Sequence, residues 1–260
     1  MIVVADNLRI TLPVIRDGLK QQDARPLAQM AVACRDAGAQ AIDINCGPLS
    51  RHPERQMRFL VNAVQAAVNL PLVLDTTNPD ALEAGLAACD RRAVINGVSL
   101  EDEKLKRILP LARQHNADII GYLLHPNGQV PADADGRMEA AVQLFTECQQ
   151  AGIKPHQLIM DPIVAPLSWQ DGNAQNMAVL EVLGSLPELL GVSVRTIAGL
   201  SNLTSGAPSA DARRHYQGAF LPMLAAAGVD MILMNALDPG LMRIVGVCRS
   251  ITGKRVFSWQ

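Results

Sequence analysis

The sequence has no excess of charge of one sign: 23 Lys and Arg residues stand against 25 Asp and Glu residues, for a formal net charge of -2 in 260 residues. Proteins that bind nucleic acid or an anionic membrane surface normally carry a basic patch, so neither partner is expected. The chain begins with neither a basic segment nor a long apolar run, which predicts no signal peptide and no spanning helix. We therefore expect a cytoplasmic protein whose partners are small molecules or another protein.

The sequence is also poor in the usual signatures of metal sites and nucleophiles. Its five cysteines are odd in number and form no CxxC pair, and its histidines do not pair at ligand spacing, so we predict no metal in this chain. The cysteines are expected to be reduced thiols, mostly packed in the core. Ser201 lacks a GxSxG setting and Cys46 has no evident base, which argues against nucleophilic catalysis.

What the sequence does have is a regular alternation of short apolar runs with longer helical patterns. Eight strand-then-helix units in about 250 residues are what a (β/α)8 barrel needs. We therefore predict an α/β fold, a (β/α)8 TIM barrel that forms a single domain over residues 1–260. The predicted strands are Ile2–Ala5, Ala41–Asn45, Leu72–Thr76, Ala93–Val98, Ile119–Leu124, Leu158–Val164, Val192–Leu200 and Met231–Ala236.

The stretches between these strands carry apolar residues at helical spacing. Gly38, Gly152 and Gly228 are placed to close helices just before a strand, while Asn78 and Asp238 are placed to cap helices that begin with proline. A doubly wound open sheet is the alternative fold, and the absence of a GxGxxG string after the first strand weighs against it. The predicted helices are Pro26–Ala37, Glu54–Val68, Pro79–Cys89, Glu103–His115, Met138–Ala151, Ala212–Ala227 and Gly240–Ile251.

Polar residues gather where the predicted strands end, which is the catalytic face of such a barrel. Almost all of them are Asp or Asn, with hardly any cations among them, and this suits a flat heterocycle rich in N–H donors and carbonyl acceptors better than a phosphate. A metal is the rival interpretation of the carboxylates, and His125 is an isolated candidate at the end of the fifth strand. The strand-end residues are Asp6, Asn7, Asp43, Asn45, Asp75, Asn78, Asn96, Asp161, Ser201, Asn202 and Asn235.

With these residues identified, the chain resembles the pterin-binding methyltransferases, in particular the methyltetrahydrofolate:corrinoid protein methyltransferases and the folate domain of cobalamin-dependent methionine synthase. The resemblance covers nearly the whole chain and rests on the order of five strings. They are AIDINCG at 41–47, LDTTN at 74–78, AVIN at 93–96, IMDP at 159–162 and GLSN at 199–202.

The resemblance implies that Asp75, Asn96 and Asp161 hold a pterin ring, through acceptors and an amide that match its amino-pyrimidine edge. It places Asn202 near the N5 nitrogen that carries the methyl group, with Gly199 and Ser201 against the ring. Asp43 and Asn45 are counted with the pterin-binding residues, and Asn202, Asp161 and Asp75 are the catalytic candidates.

The implied substrates are tetrahydrofolate or methyltetrahydrofolate and a corrinoid carried by a partner protein that docks transiently; a homodimer is also expected. The chain has no corrinoid-binding Asp-x-His-x-x-Gly string, and the direction of methyl transfer stays open. Residues 5–9 depart from the family's opening strand, so no role is carried over to Asp6 or Asn7. Arg213 matches an arginine of some relatives only through an alignment with a gap, so no role is carried over to it either. The alternatives are a dihydropteroate synthase-like enzyme and a non-catalytic folate-binding barrel.

Overall fold

The computed structural model describes residues 1–49 and 51–253, in which eight parallel strands close into a barrel in the order β1 to β8. The predicted (β/α)8 barrel is therefore confirmed, while Ser50 and residues 254–260 of the predicted domain lie outside the described residues. The strands are β1 Ile2–Arg9, β2 Ala41–Asn45, β3 Leu72–Asp75, β4 Val94–Val98, β5 Asp118–Tyr122, β6 Leu158–Asp161, β7 Arg195–Gly199 and β8 Met231–Met234.

Helices cover the outside of the barrel, and two of them were not predicted. These two are α1, a short helix inside the first connection, and α7, whose buried positions follow helical spacing although Gly184 and Pro187 interrupt its sequence. The helices of the described residues are α1 Pro13–Gln21, α2 Arg25–Asp36, α3 Pro53–Gln65, α4 Pro79–Ala88, α5 Asp102–Gln114, α6 Ala134–Gln150, α7 Gly172–Leu190, α8 Ala210–Ala226 and α9 Pro239–Thr252.

Five strands, β3 and β5 to β8, end earlier than predicted, and the early ends of β6 and β7 lie at functional candidates. Strand β6 stops at Asp161 because Pro162 has no N–H to donate and Ile163 has a left-handed backbone, with φ at 64°. Strand β7 begins at Arg195 instead of Val192 and stops at Gly199, where a short 3-10 helix over Leu200–Thr204 takes over.

The residues expected to punctuate the helices do so. Gly38, Gly152 and Gly228 have φ of 102°, 83° and 88°, which a residue with a Cβ rarely adopts. The side chain of Asn78 accepts hydrogen bonds from the first turn of α4, and that of Asp238 does the same for α9. These two polar residues therefore serve helix ends.

The inside of the barrel is filled by one apolar residue from each strand, which together form a compact layer. A larger apolar shell lies between the outer face of the strands and the helices, and four of the five cysteines are buried in the protein while Cys89 is partly buried. None of the described helices is both long and apolar enough to cross a membrane. The inner layer consists of Val4, Ala41, Val73, Val94, Ile120, Ile159, Ile197 and Met231.

Candidate active site

A ring of mostly polar side chains lies directly above the apolar layer, at the carboxyl end of the barrel. Side chains alternate between the two faces of a strand, so the residue two positions after each inner-layer residue again points inward. These residues form the floor of a cavity of about 490 Å³, which we call the floor cavity. They are Asp6, Asp43, Asp75, Asn96, Tyr122, Asp161, Gly199 and Leu233.

Hydrogen bonds across neighbouring strands fix the ring. Asn45 is in register with Asp75, and its amide donates to the Asp75 carboxylate. The Tyr122 hydroxyl donates to Oδ1 of Asn96 at 2.5 Å, and the Asn96 amide donates to Oδ1 of Asp43 at 3.2 Å. The Oδ1 atoms of Asn96 and Asp43 therefore each accept a hydrogen bond within the protein. These bonds fix the orientation of the Asn96 amide before any ligand binds.

Burial raises the pKa values of three carboxyls of the ring. It raises the pKa of Asp161 to about 7, against a hydrogen bond from the Ile163 amide that lowers it, and raises the pKa of Asp75 to about 6. The pKa of Asp43 is raised well above its ordinary value, first by burial and then by the charge of Asp75. None of the ion pairs among the described residues includes these carboxyls. Hydrogen bonds from a ligand rich in N–H donors would therefore offset the cost of burying their ionised forms.

Asp6, at the inner face of β1, is a site residue for which the sequence assigned no role. The Ser201 hydroxyl donates to Oδ2 of Asp6, which links the first strand to the end of the seventh. Oδ1 of the same carboxylate is buried without a hydrogen-bond partner, although the residue lines the floor cavity and is 8% exposed. A buried acceptor left unpaired is costly, so Asp6 has an oxygen available for a ligand donor.

Asn202 lies at the edge of the floor cavity, folded over the backbone of Gly199. A Cβ added at Gly199 would lie 3.1 Å from the Asn202 Nδ2 atom. The absence of a side chain at Gly199 therefore makes room for the Asn202 amide, and Asn202 itself is exposed at the mouth.

A buried arginine supports Asp161 from behind. The Arg137 side chain is 0% exposed, and its Nε donates to the carbonyl of Pro162 at 2.9 Å while Nη2 donates to Oε1 of Gln175 at 3.2 Å. The next residue, Ile163, donates its backbone N–H to Oδ1 of Asp161 at 2.8 Å. Arg137 thus holds the left-handed turn that orients the carboxyl.

A second cavity of about 500 Å³, which we call the arginine cavity, adjoins the floor cavity and shares Arg9, Ser201 and Asn202 with it. Arg213 and Arg214 also line it. The expectation of a rim with hardly any cations is therefore wrong. These arginines come from the extended end of β1 and the first turns of α8, which are not the strand ends where cations were sought.

All eight predicted site residues line the floor cavity: Asp43, Asn45, Asp75, Asn96, Asp161, Gly199, Ser201 and Asn202. His125 does not line it and instead holds a loop, with its backbone bonded to Gln129 and Gly128. Tyr122 and Leu233 were missed, although their position two residues after an apolar inner-layer residue was a usable signal.

Two asparagines at the mouth, Asn7 and Asn235, have a structural role. Asn7 and Asn235 bond to each other at 2.6 Å and join the ends of β1 and β8. Burial raises the pKa of Cys46 to about 12, which keeps that thiol protonated. In the part of the chain that the structure describes, no group of three or more His, Cys, Asp or Glu side chains is arranged to hold a metal ion.

A closed parallel barrel with a ring of carboxyls and carboxamides at its carboxyl end is the type of site that can hold a pterin. A family model described as "pterin binding enzyme" matches residues 13–235, and the chain belongs to this family. The relatives that it resembles are enzymes.

One relative is the methylcorrinoid:tetrahydrofolate methyltransferase of Eubacterium limosum, which is 25% identical over 256 residues, or 97% of this chain and 92% of that protein. The methionine synthase of Mycobacterium leprae is 23% identical over 231 residues, but these amount to 86% of this chain and only 19% of the synthase. The chain therefore spans about a fifth of that longer relative.

Among solved structures, the dihydropteroate synthase of Vibrio fischeri superposes with a TM-score of 0.73 at 19% identity, covering 98% of this chain and 94% of that one. The dihydropteroate synthase of Stenotrophomonas maltophilia gives 0.70 at 16% identity, with the same coverage. At these identities the likeness shows that the barrel fold is shared.

Proposed function

We propose that the protein transfers a methyl group between the N5 nitrogen of tetrahydrofolate and the cobalt of a corrinoid carried by a separate protein. The observation that carries the proposal is the ring of buried carboxyls and an oriented carboxamide, with Asn202 at its edge. Similarity to a methylcorrinoid:tetrahydrofolate methyltransferase over nearly the full length of both chains supports it.

The pterin ring binds to Asp75, Asn96 and Asp161, whose acceptors match the amino and ring N–H groups of the pterin. Asp43 and Asn45 hold two of these residues in place, because Asp43 accepts a hydrogen bond from Asn96 and Asn45 donates one to Asp75. A heterocycle without the matching donors would leave buried acceptors unpaired, and this gives the site its specificity.

Asn202 assists the departure of the methyl group from N5. A tertiary amine is a poor leaving group, because the electron pair of the broken bond stays on N5, which takes up a proton from the solvent to give tetrahydrofolate. A hydrogen bond from Asn202 that strengthens as this pair develops on N5 lowers the barrier. The amide of Asn202 is suited to this because it is exposed at the mouth and close to Gly199 at the end of β7. The corrinoid supplies the cobalt to which the methyl group is bound when it is not on N5.

The test is the visible spectrum of cob(I)alamin incubated with the protein and methyltetrahydrofolate, and of methylcobalamin incubated with tetrahydrofolate. We expect methylcobalamin to form in the first reaction and to be consumed in the second, because both directions pass through one transition state. Absence of both reactions, together with no folate binding in calorimetry, would overturn the proposal.

Replacing Asn202 by Ala separates an enzyme from a non-catalytic folate-binding barrel. Loss of one transition-state hydrogen bond is expected to slow single-turnover methyl transfer on the order of a hundredfold, while folate affinity changes little. Equal single-turnover rates for the variant and the parent protein would remove Asn202 from the mechanism.

A dihydropteroate synthase activity is the second candidate, favoured by the arginine cavity beside the floor cavity, since arginine binds phosphate oxygens well. It is tested by incubating the protein with the pterin diphosphate and p-aminobenzoate and measuring dihydropteroate.

A cytoplasmic location, a transiently bound corrinoid partner and a homodimer are further parts of the main proposal. Light scattering on the purified protein tests the dimer.

A further inference from the structure

The floor cavity and the arginine cavity lie side by side at the barrel mouth. Both are lined by Arg9, Ser201 and Asn202, so a ligand seated on the floor can extend into the arginine cavity past these three residues. The arginine cavity is about as large as the floor cavity, at about 500 Å³ against about 490 Å³. It therefore has room for a substantial part of a ligand.

The chemistry of a reduced folate connects these two cavities. In tetrahydrofolate the carbon next to N5 carries the arm that leads to the aminobenzoyl group and the glutamate. If N5 lies beside Asn202, as in the proposed function, the arm starts at the residue that the two cavities share. Placing N5 beside Asn202 therefore puts the ring in the floor cavity and the tail in the arginine cavity.

The two cavities have opposite excesses of charged side chains. The floor cavity is lined by four carboxyls, those of Asp6, Asp43, Asp75 and Asp161, and by two cations, Arg9 and Lys104. The arginine cavity has three arginines and one carboxylate, Asp238.

The single carboxylate of the arginine cavity is already engaged. Asp238 lies 3.3 Å from the Nε atom of Arg214, and it also accepts from the backbone of Gly240 at 2.8 Å. In the described part of the chain, the ion pairs include neither Arg9 nor Arg213. Two guanidinium groups are therefore available to an anion.

We infer that the arginine cavity binds the glutamyl tail of the folate, with Arg9 and Arg213 as the residues that contact its carboxylates. A guanidinium group binds a carboxylate through paired N–H donors, and charge-assisted bonds of this kind are the stronger ones. This inference rests on the proposed function, because it needs the pterin ring on the floor.

The experiment compares the affinities of tetrahydrofolate and of 6-methyltetrahydropterin, which has the ring but no tail, by anaerobic calorimetry. We expect the parent protein to bind tetrahydrofolate at least tenfold more tightly. Arg213→Gln, at a residue that lines the arginine cavity and not the floor cavity, should lower this preference about tenfold or abolish it and leave the affinity for the tailless pterin within twofold. Arg9→Gln should lower the preference as well, and the double variant should abolish it. Arg35→Gln, an exposed arginine in the last turn of α2 that pairs with Asp36, is the matched control and should keep the full preference.

Three results would overturn the inference. Equal preference for the tail in the double variant and the parent protein would exclude Arg9 and Arg213 as its ligands. An equal loss of affinity for both ligands would place the arginines on the ring. Unchanged folate affinities with slower transfer to the corrinoid protein would assign the cavity to the partner. If the parent protein binds neither tetrahydrofolate nor the tailless pterin, the proposed function fails together with this inference.

Discussion

The hydroxyl of Ser201 donates to the carboxylate of Asp6 and leaves the other oxygen of that carboxylate, Oδ1, buried without a partner at the cavity floor. We predict that Asp6→Asn weakens tetrahydrofolate binding by about tenfold or more. With Ser201 bonded to the amide oxygen, the variant turns an NH2 group towards the ligand, which opposes an N–H donor. Calorimetry measures the change, and Asp17→Asn, at an exposed residue of α1, is the control. Unchanged affinity in Asp6→Asn would mean that Oδ1 does not face the ligand.

Asp161 links the site to the stability of the empty protein. Its pKa is 3.8 ordinarily and about 7 in the folded protein, so between these values the folded state binds more protons than the unfolded state. Stability is therefore expected to fall as the pH rises from about 4 to 7, by on the order of 4 kcal/mol for this group. Asp161→Asn should be more stable than the parent protein at pH 8 and similar to it at pH 4. Urea unfolding at the two pH values measures this, and a variant less stable at pH 8 would contradict it.

The amide of Asn202 depends on the empty space above Gly199. Gly199→Ala would bring a Cβ to 3.1 Å from Nδ2 of Asn202, and the amide must shift by a few tenths of an ångström. We expect methyl transfer to slow by about tenfold, since small displacements of catalytic groups are costly. Gly184→Ala on α7, where a Cβ meets no atom within 4 Å, is the matched control. Transfer rates that fall equally in both variants would show that the effect is not specific to Asn202.

The buried Arg137 is expected to matter for both stability and binding. Arg137→Met leaves the Pro162 carbonyl and Gln175 without their donor, which should lower the free energy of unfolding by ~2 kcal/mol. It should also weaken folate binding, because the turn that orients Asp161 loses its support. Urea unfolding and calorimetry test the two effects, with Arg35→Met as control. A destabilised variant with unchanged folate affinity would limit Arg137 to a structural role.

The alternation of residue types along the strands explains how much could be predicted from the sequence. Apolar runs that end in Asp or Asn were enough to identify the barrel, its strand order and the positions of Asp43, Asp75, Asn96 and Asp161. The same alternation would have identified Tyr122, but a tyrosine at a strand end is also common in cores.

The arginine cavity and the buried support of Asp161 depend on tertiary contacts, which the sequence pattern does not contain. Arg213 lies on a helix and Arg9 on a bulged strand, where the pairing of β1 with β2 shifts between Ala5 and Leu8. No local spacing relates them to each other. Arg137 was equally hidden, since a charged residue in a helix is normally exposed.

Because the pKa values of Asp161 and Asp75 are raised, these two carboxyls are partly protonated near neutral pH in the empty site. A pterin that donates N–H groups to Asp161 and Asp75 favours their ionised forms, so binding should release protons into the solvent. At pH 6.5 the heat of folate binding would then change with the ionisation enthalpy of the buffer. Binding of an uncharged pterin ring would thus be detected by the protons that it releases from the barrel.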